Sequence, residues 1–301
     1  MRLVAGAPEL VAADDQPYVV CAAEKLTLYD AATKQELASR PLPPEASGAQ
    51  LGFVGDKLLA IVPGDGRTSL MAYSLPALDL VAQLELEERL RAVCFMPSRA
   101  LVTTESFEQP RIVLVTSRIY LDPIAIREPV MLGTAAPEER LLVASRGRDQ
   151  QLECWDPQVR RALFRLNLPL MPTAVMAGFA SRRRILWIAG TTAQSAIEVY
   201  RYSDGRLQAR VDLDAPVVGA AGHPESPRLI VATRRDEGAA AKLLELDFVR
   251  GERRELEVTA PLSMCVVESP QPMLVVHTGG GGAPEWIPLP HVVAAEAMKP
   301  T

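Results

Sequence analysis

Asparagine occurs once in the 301 residues, at Asn167, and lysine only five times against 27 arginines. That skew is associated with GC-rich bacterial genomes, a correlation rather than a physical argument. Histidine is nearly as scarce: His223, His277 and His291 lie far apart, and no pair has metal-ligand spacing. No apolar run approaches the roughly 18 residues needed to cross a bilayer as a helix. The opening "MRLVAGAPELVAADD" carries one arginine and no sustained apolar stretch, which predicts no secretory leader. Cys21, Cys94, Cys154 and Cys265 are widely separated, each in an apolar run, so reduced buried thiols in a cytoplasmic protein are expected rather than a disulfide frame. The net charge of −5 disfavours a general nucleic-acid binder.

What the chain does contain is turn punctuation. Twenty-five prolines and 19 glycines are spread evenly, which favours many short elements over a few long helices. Apolar runs then recur: "YVVCAA" from Tyr18, "KLLAIV" from Lys57, "RALVTT" from Arg99 and "RLLVAS" from Arg140. "RILWIA" from Arg184, "RLIVAT" from Arg228 and "PMLVVH" from Pro272 continue the series at a mean step of about 42 residues. Each run follows an apolar segment and a turn. After it come a loop, an alternating strand and a further strand, as in "KLTLYDAATKQELASRPL" and "IEVYRYSDGRLQARVDL". Four short strands per repeat predict an all-β, seven-bladed β-propeller of four-stranded antiparallel blades, residues 1–301 forming one domain.

"LYDAATKQELA" and "CWDPQVRRALFRL", the latter containing Trp155-Asp156, resemble WD-repeat propellers at the level of architecture. Trp-Asp and Tyr-Asp occur once each, and Gly222-His223 stands in a first–second strand turn, not at the usual place of that dipeptide. The resemblance implies a ring closed by the chain termini. Spacing favours "RLV" near Val4 as a short clasp on the seventh blade, with "HVVAAEA" (291–297) as the rival strand or a terminal helix.

Catalytic chemistry is sparse. The innermost strands are small and apolar, with Gly52, Gly133, Gly178 and Gly219 where strands converge on the axis. Asp boxes, Asp-x-Asp-x-Asp-Gly loops, Gly-x-Ser-x-Gly elbows and phosphate-binding lysine loops do not occur. "TGGGGAP" (278–284) lacks a following helix and a lysine, so it is read as an inter-strand loop. Trp155 and Trp187 are read as blade–blade packing rather than a cofactor platform. No catalytic residue, metal site or cofactor is expected.

Charge is the informative feature. Residues 140–210 hold 12 arginines against 5 acids, a net of +7, in an otherwise acidic chain. Arg160, Arg161, Arg182, Arg183 and Arg206 are predicted in turns that open on one face, and "VRGERRE" adds Arg250, Arg253 and Arg254. Such an arc suits an acidic protein partner, because arginine pairs bidentately with carboxylates. Arg146, Arg148, Arg234 and Arg235 belong to the opposite face. The expected function is a non-catalytic interaction scaffold, or an accessory subunit of a larger bacterial complex. The alternatives are a propeller hydrolase or lyase, and phosphate or nucleic-acid binding through the arginines, which lack aromatic platforms beside them.

Overall fold

The apolar runs are unbroken, not alternating, because both faces of the second strand are buried in each of the five sheets where its side chains are described. In the computed structural model Val20 and Ala22 pack toward the second sheet, with Leu58, Ala60 and Val62. Their neighbours Val19 and Cys21 pack the other way, against Cys265, Val267, Met273 and Val275 of the last sheet. Leu59 and Ile61 likewise face the third sheet, meeting Ala100, Val102 and Val113. A strand with a period of two thus serves two interfaces at once. Each fully buried leucine contributes about 2 kcal/mol by removal from water.

The structure describes residues 3, 7–12, 17–42, 48–96, 98–104, 110–123, 131–132, 141–145, 151–156, 161–167, 172–180, 183–190, 195–201, 206–222, 228–236, 239–248, 250–267, 271–278 and 282–289. The backbone alone is described at 131–132, 141–145, 172–180 and 183–190, and at 151, 152, 154–156, 163, 166 and 201.

Every secondary-structure element among these residues is a strand, and seven antiparallel sheets follow one another along the chain. The first comprises Glu9–Ala12 (β1), Tyr18–Ala22 (β2), Lys25–Asp30 (β3) and Glu36–Pro41 (β4). The second has Gln50–Val54 (β5), Lys57–Pro63 (β6), Thr68–Ser74 (β7) and Leu80–Leu86 (β8). The third has Leu90–Met96 (β9), Arg99–Thr104 (β10), Arg111–Val115 (β11) and Ile119–Pro123 (β12). Met131–Leu132 (β13), Leu141–Ser145 (β14), Gln151–Asp156 (β15) and Arg161–Asn167 (β16) make the fourth. Pro172–Ala180 (β17), Arg183–Gly190 (β18), Ala196–Arg201 (β19) and Leu207–Asp212 (β20) make the fifth. Val217–Gly222 (β21), Arg228–Thr233 (β22), Lys242–Asp247 (β23) and Glu252–Leu256 (β24) make the sixth. The seventh has three described strands, Ser263–Val267 (β25), Met273–His277 (β26) and Glu285–Pro288 (β27).

β1, β5, β9 and β13 lie side by side in turn, as do β17, β21 and β25; β14 meets β17, and β1 lies beside β25, so the sheets close on themselves as a propeller. The space at the axis is tight. Gly52 on β5 faces Phe95 on β9, and a Cβ at Gly52 would stand 2.0 Å from the Phe95 ring. This glycine supplies room rather than backbone freedom. At the first–last junction Trp286 meets Tyr29 edge-on, ring centroids 6.5 Å apart at 72°. Trp155 and Trp187 sit on the predicted third and second strands, but their side chains lie outside the described residues.

Leu3 corrects the expectation for "RLV". Its N–H donates to the Leu262 carbonyl (2.7 Å), its carbonyl accepts from Arg234 Nη2 (3.0 Å), and its side chain is buried between the sixth and seventh sheets. Leu3 therefore sits at the start of β25, not beside the outer strand β27. The rival segment 291–297 lies outside the described residues.

Candidate interaction surface

Because consecutive strands are antiparallel, the first–second and third–fourth turns of every sheet share one face of the ring. The second–third loops and the links between sheets share the other. Aspartates shape the third–fourth turns. Asp30 Oδ1 accepts from the Ala32 N–H (3.0 Å), the Thr33 N–H (2.7 Å) and the Thr33 hydroxyl (2.9 Å). These bonds, led by the Thr33 N–H, hold the Asp30 carboxyl below its usual range. In the sixth sheet Asp247 Oδ1 accepts from the Arg250 N–H (3.0 Å), and the Gly251 N–H closes the turn on the Asp247 carbonyl (2.8 Å). Gly251 has φ 68°, a left-handed conformation that favours glycine. The aspartate of the Tyr-Asp and Leu-Asp pairs thus builds a turn. In the sixth sheet that turn presents Arg250.

The predicted arc divides into three groups. Arg161 and Arg206 are exposed, Arg161 beginning β16 opposite Asp156 and Arg206 standing one residue before β20. Arg183 begins β18, where its backbone is described, and Arg160 and Arg182 lie outside the described residues. Arg250 occupies a turn on the same face, 3.9 Å from Asp247 Oδ2.

Arg253 and Arg254 depart from the turn placement that the sequence suggested. Both lie within β24, on the outer rim. Arg253 Nη2 reaches Asp214 Oδ2 (3.0 Å), linking the sixth sheet to the segment after β20. Arg254 Nη2 meets Glu245 Oε2 (2.7 Å), whose other oxygen is 2.8 Å from Arg228 Nε. Arg228 and Glu245 are buried, so an Arg–Glu–Arg ladder crosses three strands from rim to interior. Sequence reading missed this ladder; its signal, an arginine opening an apolar second strand, recurs in other repeats and so does not single out the sixth sheet.

On the fifth sheet, Arg210 Nη1 pairs with Glu198 Oε1 and Arg210 Nε with Asp212 Oδ1, both at 3.0 Å. Tyr200 Oη donates to Glu198 Oε2 (2.6 Å). Burial first, then that carboxylate, push the Tyr200 phenol well above its usual range. Arg165 pairs with Glu153 on the fourth sheet at 2.5 Å. The basic sector is thus laced with local acids. On the opposite face Arg234 is tied to Leu3, Arg235 is exposed, and Arg146 and Arg148 lie outside the described residues.

Titratable groups inside the ring point to packing. Cys21 and Cys265 share the first–last interface, where burial pushes their thiols up to about 11 and about 12. Cys94 is also a free, buried thiol. His277 is buried, and desolvation lowers its pKa against an opposing hydrogen bond with the Gly282 backbone. Among the described residues, no group of three or more His, Cys, Asp or Glu is placed to hold a metal ion, and no helix is long and apolar enough to cross a membrane.

No protein-family model matches the chain, and no curated protein is significantly similar to it in sequence. Solved structures do resemble it. The β-propeller domain of Myceliophteria thermophila Cps50 (Swd1) aligns with a TM-score of 0.67 at 12% identity, covering 91% of this chain and 93% of that one. A chain of the mitotic checkpoint complex aligns at 0.66 and 12% identity, over 92% and 85%. The dihydro-heme d1 dehydrogenase NirN aligns at 0.64 and 15% identity, over 94% of this chain and 66% of its own. The protein therefore has the WD-repeat-like β-propeller fold. Neighbours at this identity include both a complex component and an enzyme, so they define architecture alone.

Proposed function

We propose that the protein is a non-catalytic interaction platform, an accessory subunit that docks an acidic partner on its arginine-rich sector in a bacterial cytoplasm. The observation that carries this reading is that Arg161, Arg206 and Arg250 stand at or just before the starts of the fourth strands, on one face, in three consecutive sheets. Arg160, Arg182 and Arg183 belong to the same turns by sequence position. Arg253 and Arg254 extend the basic surface onto the rim. The acids paired with the outer arginines do not oppose the reading. Exposed pairs contribute only about 0–1 kcal/mol, so a partner carboxylate can exchange with them. Fast, salt-sensitive association follows from this design. Arginine composition supports the bacterial setting, and the three free buried thiols support a reducing compartment.

The test compares the parent with a double reversal, Arg161→Glu and Arg206→Glu, in affinity capture from the native host across a salt series. The reading expects specific partners that are lost at low salt in the reversed protein, with association about tenfold slower. Partners captured equally by both proteins would place the interface elsewhere. A reversal of Arg235 that alone abolishes capture would move it to the opposite face.

A further inference from the structure

Among the described residues the exposed large hydrophobic side chains are Leu37, Leu80, Val81, Leu114, Tyr120 and Leu207. All of them stand within two residues of a third–fourth turn, at the starts of β4, β8, β12 and β20 or the end of β11. Those turns open on one face of the ring, so the edge of that face carries apolar side chains in four sheets. Exposed leucines scattered singly mean little, but their gathering at one edge marks a contact surface.

Charge names the occupant. At or just before the start of the fourth strand, the first two sheets carry the acids Glu36 and Asp79. The fourth and fifth carry Arg161 and Arg206 at the same place, and all four residues are exposed. Lys25 lies 3.9 Å from Glu36 and Arg40 lies 2.9 Å from Asp79, in exposed pairs weak enough to exchange partners. The two patches are also built alike, because Leu80 pairs with Tyr73, and Leu207 with Tyr200, each beside a bulge.

The third sheet lies midway between the patches in the ring. A two-fold axis through it, lying in this face, sets the first sheet of one copy on the fifth of another and the second on the fourth. Glu36 then meets Arg206, Asp79 meets Arg161 and Leu37 meets Leu207, each contact occurring twice. Lys34 offsets Glu36 within its own turn, which leaves Asp79 and Arg161 the stronger pair. On the axis the third sheet meets its own copy, where the exposed Tyr120 offers a ring to the Arg118 guanidinium.

We propose that the protein forms a closed, face-to-face dimer in which a second copy of the chain is the acidic partner of the arginine sector. This rests on the reading of that sector as a docking surface.

Sedimentation velocity of the purified protein, with no other component present, tests it. The parent should be a dimer at low salt and dissociate as salt rises. Asp79→Arg and Arg161→Asp should each weaken the dimer at least about tenfold, since either change opposes like charges in both copies of the pair. Mixed one to one, the two variants should form a dimer of parent strength, because every contact again joins opposite charges. Damage to folding could not be repaired by mixing. A parent that stays monomeric at low salt, one that grows beyond a dimer, or variants that do not recover on mixing would overturn the proposal. A monomeric parent that captures a host partner, lost on reversal of Arg161 and Arg206, would overturn the self-pairing while keeping the arginine surface.

Discussion

Replacing Gly52 by alanine probes how closely the blades converge on the axis. The added Cβ would lie 2.0 Å from Phe95 Cγ, 2.2 Å from Cδ1 and 2.5 Å from Phe95 Cβ. Carbon atoms rest about 3.5–4.0 Å apart. Swinging the ring relieves the first two contacts but not the third, because Phe95 Cβ is fixed to β9. That strand is held in register by Ala100 on β10, and β5 by Leu59 on β6. One innermost strand must therefore shift by about 1 Å. Overpacking costs about 1–3 kcal/mol, and a forced backbone shift belongs at the upper end. With an unfolding entropy of about 0.6 kcal/mol/K for a chain this long, Gly52→Ala should lower Tm by about 5 °C. Calorimetry gives the value, and Phe95→Gly supplies the control because it removes all three opposing atoms. In that background Gly52→Ala should be neutral or slightly stabilising, since alanine restricts the unfolded chain more than glycine does. An equal loss in both backgrounds would refute the contact as its cause.

Two further outcomes follow from buried groups. Arg228→Leu leaves the Glu245 carboxylate buried with Arg254 alone and should cost about 3 kcal/mol in urea unfolding, most of it recovered when Glu245→Leu is added. Arg254→Leu removes a half-exposed partner and should cost under about 1 kcal/mol, so equal losses for the two arginines would contradict the ladder. Cys21 and Cys265 should resist iodoacetamide in the native protein at pH 8 and react once it is unfolded, as followed by mass spectrometry. Their thiols ionise near 9 when unfolded and at about 11 and about 12 when folded. Stability should therefore be unaffected below pH 9 and decline as pH rises above it; native alkylation at pH 8 would show an open first–last interface.

The repeat was legible because it rests on local chemistry that recurs. An unbroken apolar second strand such as "KLLAIV" or "RLIVAT" is what burial on two faces requires, and both runs became β6 and β22 with their central residues fully enclosed. Turn aspartates were equally local, since the Asp30 carboxylate accepts from residues two and three positions on. The Cys21, Cys94 and Cys265 thiols were read correctly as buried because apolar neighbours in sequence are neighbours in the core. Leu3 was not legible. Its anchorage depends on Leu262 and Arg234, more than 230 residues away, and no periodicity in three residues announces it.

The arginine sector marks the same boundary at the surface. Sequence position fixes which turn carries Arg206 or Arg250, but a guanidinium's electrostatic freedom depends on acids that register brings alongside. Asp214 meets Arg253 across 39 residues, and Glu245 meets both Arg228 and Arg254 across two strand pairings. Counting charges along the chain therefore overstates what a partner can use. Arg254 belongs in part to the stability of the sixth sheet, and a reversal there would confound folding with binding. Arg161 and Arg206 are exposed at the starts of the fourth strands, where a change of charge acts on the approach of a partner. They are the positions at which binding can be altered with the smallest disturbance to the ring.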